Sequence, residues 1–183
     1  SMLDCQIAIL ENAIARYLSN NEIPGPMGSR HPSIAPFEAF KTKDSYIIIA
    51  AGNDKLFTKL CNVLKIPETA NDERFNSNSL RCENMDHLKE IFEKQLSSKS
   101  TDEWVKEMEA LKIPCGPIFN IKQAVENPQI QERNMIVKSY HKIIGEFKSA
   151  GNPIKMSTYK DENTRGDIPD LDEHREKIIK EFS

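Results

Sequence analysis

At 183 residues, 38% of them hydrophobic and 29% charged, the chain has the length for one ordinary domain with a real core and the composition of a polar globular protein. Its net charge of −3 gives no basic footprint, which argues against a nucleic-acid or anionic-membrane partner. The longest apolar run, Tyr46 to Ala51, is strand-sized, so no membrane span is expected, and Cys5, Cys61, Cys82 and Cys115 lack the close pairing of a metal site. They read as reduced thiols of an intracellular protein, in the cytoplasm or the mitochondrial matrix.

Leu3, Ile7, Leu10, Ile14 and Tyr17 recur in steps of four and three, which predicts one helix running to about Leu18. Ala8, Ile9, Ala13 and Ala15 make its other faces apolar too, so it calls for cover that a chain of this size does not offer. Ser1-Met2 ahead of it shows no cap and reads as a tag remnant on a shortened chain. Ser19 to Gly28, rich in Asn, Pro and Gly, is a linker. Pro32 and Pro36 then hold Gly28 to Pro36 extended, because each proline fixes its own φ and restricts the residue before it.

From Phe37 the chain turns apolar. A Lys43-Asp44-Ser45 turn separates strands Phe37-Thr42 and Tyr46-Ala51, Gly52 breaks the second strand, and Asn53 caps a helix with Leu56, Phe57, Leu60, Val63 and Leu64 on one face. Beyond a polar stretch from Pro67 to Asn78, the spacing of Leu80, Met85, Leu88, Ile91, Phe92 and Leu96 predicts one amphipathic helix from about Ser79 to Ser97. Ser100-Thr101-Asp102-Glu103 is a capping box ahead of Trp104, Val105, Met108 and Leu111. Pro114, Gly116 and Pro117 make Ile113 to Asn120 a stiff loop or edge strand. A short helix ends at Asn127-Pro128, strands are expected at Met135–Tyr140 and Gly145–Ser149 with a third at Ile154–Ser157, and Leu171, His174, Ile178 and Phe182 mark a last helix.

Gly28-Ser29-Arg30-His31-Pro32-Ser33 is the one place where donors cluster on a proline-stiffened backbone. Arg30 can pair a carboxylate or phosphate, His31 can donate to a carbonyl oxygen, and Ser29 and Ser33 add hydroxyls. By residue type alone a solvated loop explains the same residues. Lys41 and Lys43 fit a positive rim for a coenzyme phosphate or, equally, the lysine guard of a hairpin edge. Trp104 reads as a core anchor, and His87, His141 and His174 lack a second ligand at metal spacing. Cys115 has no base tied to it in sequence, and Asp4 is a helix-start acid.

Two stretches carry a resemblance. GSRHPSIAPFEAFKTKDSYIIIAAGN, Gly28 to Asn53, is similar to the start of the small domain in family III CoA-transferases. IPCGPIFNIKQAVENPQIQERNM, Ile113 to Met135, resembles that family's G-[VI]-P-x-G-P-[VI] loop, short helix and D/N-P-Q turn. The similarity runs from about Leu3 to Ser157. It implies an α+β fold in which a small antiparallel sheet packs with several helices, preceded by one long helix belonging to a large domain. Residues 1–20 are then that helix, 21–35 the linker and site-facing loop, 36–160 the small domain, and 161–183 a polar tail with a C-terminal helix.

The same resemblance implies an enzyme that moves coenzyme A from an acyl-CoA donor to a carboxylic acid through an aspartyl-CoA intermediate. Its aspartate lies upstream, so no catalytic residue is expected in this chain and Asp4 does not take that role. Gly28, Ser29, Arg30, His31, Pro32 and Ser33 are the loop expected to face substrate and coenzyme A. Some members are glycine-rich at this loop, whereas this chain has Arg30-His31-Pro32. Near His174 the family more often shows a glycine before its E-H pair, where this chain has Asp172. The resemblance further implies no tightly bound cofactor, no metal, coenzyme A thioester as substrate, and an interlocked homodimer. An α-methylacyl-CoA racemase on the same scaffold and a stand-alone binding or assembly module are the alternatives.

Overall fold

The isoleucines of Tyr46–Ala50 form the central strand of the first sheet. β-Branched side chains suit a strand packed on one face, and here Ile47 and Ile49 are buried while Ile48 is half-buried. A computed structural model describes residues 1–183, and the chain divides into two compact units, 1–118 and 119–183, so the 36–160 stretch is distributed over both.

In the first unit, β1 (Phe37–Lys41), β2 (Tyr46–Ala50) and β3 (Cys115–Pro117) pair antiparallel in that order, with Phe37 opposite Ala50 and Ile48 opposite Gly116. The register sorts side chains by face. Glu38, Phe40, Ile47 and Ile49 are buried, and Phe37, Ala39, Ile48 and Ala50 are only half-buried. The helices are α1 (Met2–Ile9), α2 (Glu11–Asn20), α3 (Asp54–Val63), α4 (Asn78–Glu83), α5 (Met85–Leu96) and α6 (Thr101–Ala110), with a 3-10 turn at Pro67–Asn71. Phe40, Phe57, Leu60, Phe75, Leu88, Phe92, Leu96, Trp104 and Met108 make one core with the two isoleucines. Each such side chain contributes about 1.5–3 kcal/mol when fully removed from water. Trp104 is the expected anchor, its indole N–H donating to the Leu96 carbonyl at 2.8 Å. The hairpin turn is docked on α6, with Asp44 accepting from the Thr101 backbone N–H at 2.9 Å and the Thr42 and Thr101 hydroxyls 2.7 Å apart.

Several expectations are corrected. The first helix is two: α1 ends at Leu10, whose N–H turns back to the Ile7 carbonyl at 3.1 Å, and neither glycine nor proline marks the break. Ser1 does cap α1, in a capping box with Asp4. Their apolar side chains stand exposed, Leu3 by 71% and Ile9 by 74%, and neither helix buries a residue. The predicted Ser79–Ser97 helix also breaks, at Asn84. That side chain donates to the carbonyls of Leu80 and Arg74, the local competition by which asparagine interrupts helices.

In the second unit, α7 (Ile121–Glu126) and α8 (Pro128–Glu132) meet at Asn127, which caps the second and has proline after it. β4 (Ile136–His141) and β5 (Gly145–Ala150) form an antiparallel hairpin, and α9 (Arg175–Phe182) closes the chain. Ile154–Ser157 is not a strand. β4 is flanked instead by a single parallel bridge from Lys138 to Thr164, fastened where Asp161 takes ion pairs from Lys155 and Arg165.

Candidate functional site

The donor loop is tied to the fold almost residue by residue. Gly28 adopts φ +64°, a left-handed conformation that glycine takes without steric cost, and turns the chain into the loop. Ser29 Oγ accepts from the Ala39 N–H at 3.1 Å. Arg30 donates Nε–H to Glu38 at 3.2 Å and Nη2–H to Asp86 at 2.5 Å. Glu38 is buried, and a second ion pair, from Lys89, completes its compensation. The hydrogen bond between Arg30 and Asp86 raises the guanidinium pKa and holds the Asp86 carboxyl below its usual range.

His31 lies on the opposite side of this arrangement. Its backbone N–H donates to the Phe37 carbonyl at 2.9 Å, its ring stacks on Phe37 with centroids 5.2 Å apart, and its Nδ1 accepts from the Ser33 N–H at 3.2 Å. Because strand side chains alternate, Phe37 faces the half-buried side of the sheet while Glu38, with Arg30 on it, faces the helices. Arg30 and His31 are neighbours in sequence with partners on two different faces.

Two residues that sequence reasoning passed over fix the far end of the loop. Asn78 donates to the Ser33 carbonyl at 2.8 Å and accepts from the Ala35 N–H at 3.0 Å. Arg81 is fully buried. It donates Nε–H to the Ala35 carbonyl at 2.9 Å, Nη1–H to Phe75 at 2.9 Å, and Nη2–H to both the Gly52 carbonyl and Asp54 at 2.8 Å, with its guanidinium 4.5 Å over the Phe57 ring. The signal for it was present in the sequence. Arg81, Met85, Leu88, Phe92 and Leu96 recur in steps of four and three, and a cation on an apolar stripe needs buried carbonyl partners.

Ile34, Phe37, Ala50, Gly52, Asn53, Leu56 and Asn78 enclose a mostly apolar groove of about 400 Å³ beside the loop. Gly52 is required there, because a Cβ at this position would stand 2.0 Å from Ile34 Cγ2. Lys41 and Lys43 are not drawn into the loop. They lie at the turn end of β1, with their backbone N–H groups donating to Glu93 and to the Lys99 carbonyl. Cys115 is half-buried, and burial, with Glu109 nearby, pushes its thiol pKa up, the reverse of what a nucleophile needs. His141 accepts from the Ile143 N–H within its own hairpin.

The pattern that defines CoA-transferase family III matches residues 1–175. The chain is 38% identical over 183 residues to an acetyl-CoA:oxalate CoA-transferase of Acetobacter aceti, covering all of this chain and 46% of that protein. It is 32% identical over 181 residues to a succinyl-CoA:glutarate CoA-transferase of Homo sapiens, covering 99% of this chain and 41% of that one. The crystal structure of a CaiB/BaiF family protein from Brucella suis superimposes with a TM-score of 0.76 at 32% identity, over all of this chain and 47% of that one. The chain thus spans less than half the length of the relatives it matches.

Proposed function

Because the chain belongs to CoA-transferase family III, we propose that it is the small-domain portion of an enzyme that moves coenzyme A from an acyl-CoA donor to a carboxylic acid. The nucleophilic aspartate of that reaction lies outside this chain. The observation that carries the reading is the end-to-end similarity to proteins named for this reaction type with different acids. The carboxylate attacks the thioester carbonyl, a carbon–oxygen bond forms, and coenzyme A leaves as thiolate. The thiolate then attacks the enzyme's own carbonyl in the mixed anhydride, the donor acid departs, and the acceptor acid runs the same steps in reverse. Hydrolysis of the anhydride wastes the turnover, so the site must exclude water.

The share of this chain is the loop Gly28, Ser29, Arg30, His31, Pro32 and Ser33. Its ties to Glu38, Asp86, Asn78 and Arg81 suit a stiff wall over the acyl group. The chemistry uses no bound cofactor or metal. The exposed apolar faces of α1 and α2 fit a homodimer of the whole protein in which other segments cover them, and the four free thiols fit the cytoplasm or the mitochondrial matrix.

The test is to incubate the full-length protein with succinyl-CoA or acetyl-CoA and with oxalate or glutarate, and to follow new CoA thioesters by chromatography. Transfer to at least one acid is expected. Exchange of the α-proton of a 2-methylacyl-CoA without any transfer would overturn the reading in favour of a racemase.

A further inference from the structure

The loop spends much of its polar inventory on its own fold, through Ser29, Arg30 and the Ser33 backbone, and His31 keeps one ring edge out of it. Two contacts fix the ring, the parallel stack on Phe37 with planes 9° apart and the bond from the Ser33 N–H to Nδ1, while the backbone N–H of His31 ties the residue to the Phe37 carbonyl. A backbone N–H can only donate, so Nδ1 is the acceptor edge of the ring and Nε2 is left as its donor edge. Nε2 makes no hydrogen bond within the chain. The aromatic platform beneath the ring is also a wall of the apolar groove, alongside Ile34, Ala50 and Leu56. Packing alone needs no defined tautomer. A ring whose one free atom is a fixed N–H donor, beside an apolar groove, is built to meet an acceptor.

We propose that His31 is a catalytic residue of the transfer, donating Nε2–H to the acyl carbonyl oxygen as the carboxylate adds to it. The inference rests on the transferase reading. In the addition, the new carbon–oxygen bond pushes the carbonyl π pair onto oxygen. In the collapse that pair returns as the carbon–sulfur bond breaks and thiolate leaves. No proton is consumed in either step, so the donor keeps its proton throughout and acts by hydrogen bonding alone. A preorganised donor aimed at charge that develops away from water is worth far more than the same bond in solvent. Arg30 is drawn to the other face of the sheet, where its Nε and Nη2 are held by Glu38 and Asp86.

Two variants of the full-length protein separate donor from packing. His31→Phe keeps the stack on Phe37 and removes the donor, and kcat should fall by about 100-fold or more with KM little changed. His31→Gln returns an N–H near the position of Nε2 and should recover activity to within about tenfold of wild type. Wild-type rates in H31F, or equal losses in both variants, overturn the assignment. An independent measurement needs binding and no turnover: the infrared carbonyl band of a bound, ¹³C-labelled acyl-CoA should move to lower frequency in the wild type. An unshifted band overturns the proposal even where a variant fails to fold. Wild-type protein that shows the shift and transfers nothing counts against the transferase reading and leaves the donor standing.

Discussion

Arg81 holds the carbonyl oxygen of Gly52 at 2.8 Å from a side chain wholly shut off from solvent. The same guanidinium reaches Ala35 and Phe75, so one residue joins the end of the donor loop, the β2–α3 junction and the segment ahead of α4. Arg81→Met leaves those three carbonyls without their partner, at about 1–3 kcal/mol each where they stay buried. Urea unfolding followed by the fluorescence of Trp104 should show a loss of about 3 kcal/mol or more. A loss under about 1 kcal/mol would mean that water reaches these groups and that the loop does not depend on Arg81.

Gly52 and Ile34 should be energetically coupled. Gly52→Ala places a methyl 2.0 Å from Ile34 Cγ2 and should cost about 1–3 kcal/mol through forced repacking. In the background of Ile34→Ala the same change should cost much less, giving a coupling of about 1 kcal/mol in a double-mutant cycle. Strictly additive losses would show that Ile34 moves aside at no cost.

The strap beside β4 should open in acid. Hydrogen bonds from Lys155 and Arg165 hold the Asp161 carboxyl down at about 2. A carboxyl whose pKa is lower folded than unfolded stabilises the fold above its unfolded value of about 3.9, and that contribution is lost as pH falls toward the folded value. The melting temperature of the second unit should therefore drop between about pH 4 and pH 2, and Asp161→Asn should flatten that part of the profile. An unchanged acid limb in D161N would assign the drop to other carboxylates.

Thiol reactivity should divide by position. Burial pushes the Cys61 thiol up to about 12, and Cys5 is exposed. At pH 8 a disulfide reagent should modify Cys5 in the folded 183-residue chain and Cys61 only after denaturation. The sign for stability follows: a thiol whose pKa is raised on folding stabilises the folded form below its unfolded value of about 8.5, and this is lost progressively as pH rises toward 12. Rapid native labelling of Cys61 would show that α3 opens on the labelling timescale.

The elements that formed as the sequence predicts are those whose determinants are local. The isoleucine run of β2, the Asn53 cap and the Ser100–Glu103 capping box each depend on residues within four positions of one another, so backbone sterics and short hydrogen bonds settle them. The chemical character of the loop was legible for the same reason, as a run of donors held extended by Pro32 and Pro36. What the tertiary structure alone decided is which of those donors are spent. Arg30 meets Glu38 and Asp86 eight and fifty-six positions away, and Ala35 meets Arg81 forty-six positions away. Those pairings exist only once α4 and α5 have packed on the sheet, because burial of a carboxylate or carbonyl is what makes a distant cation its partner. The His31 ring lies on the other face for a reason no spacing rule contains: strand alternation at Phe37 and Glu38 sends adjacent loop residues to opposite sides of one sheet.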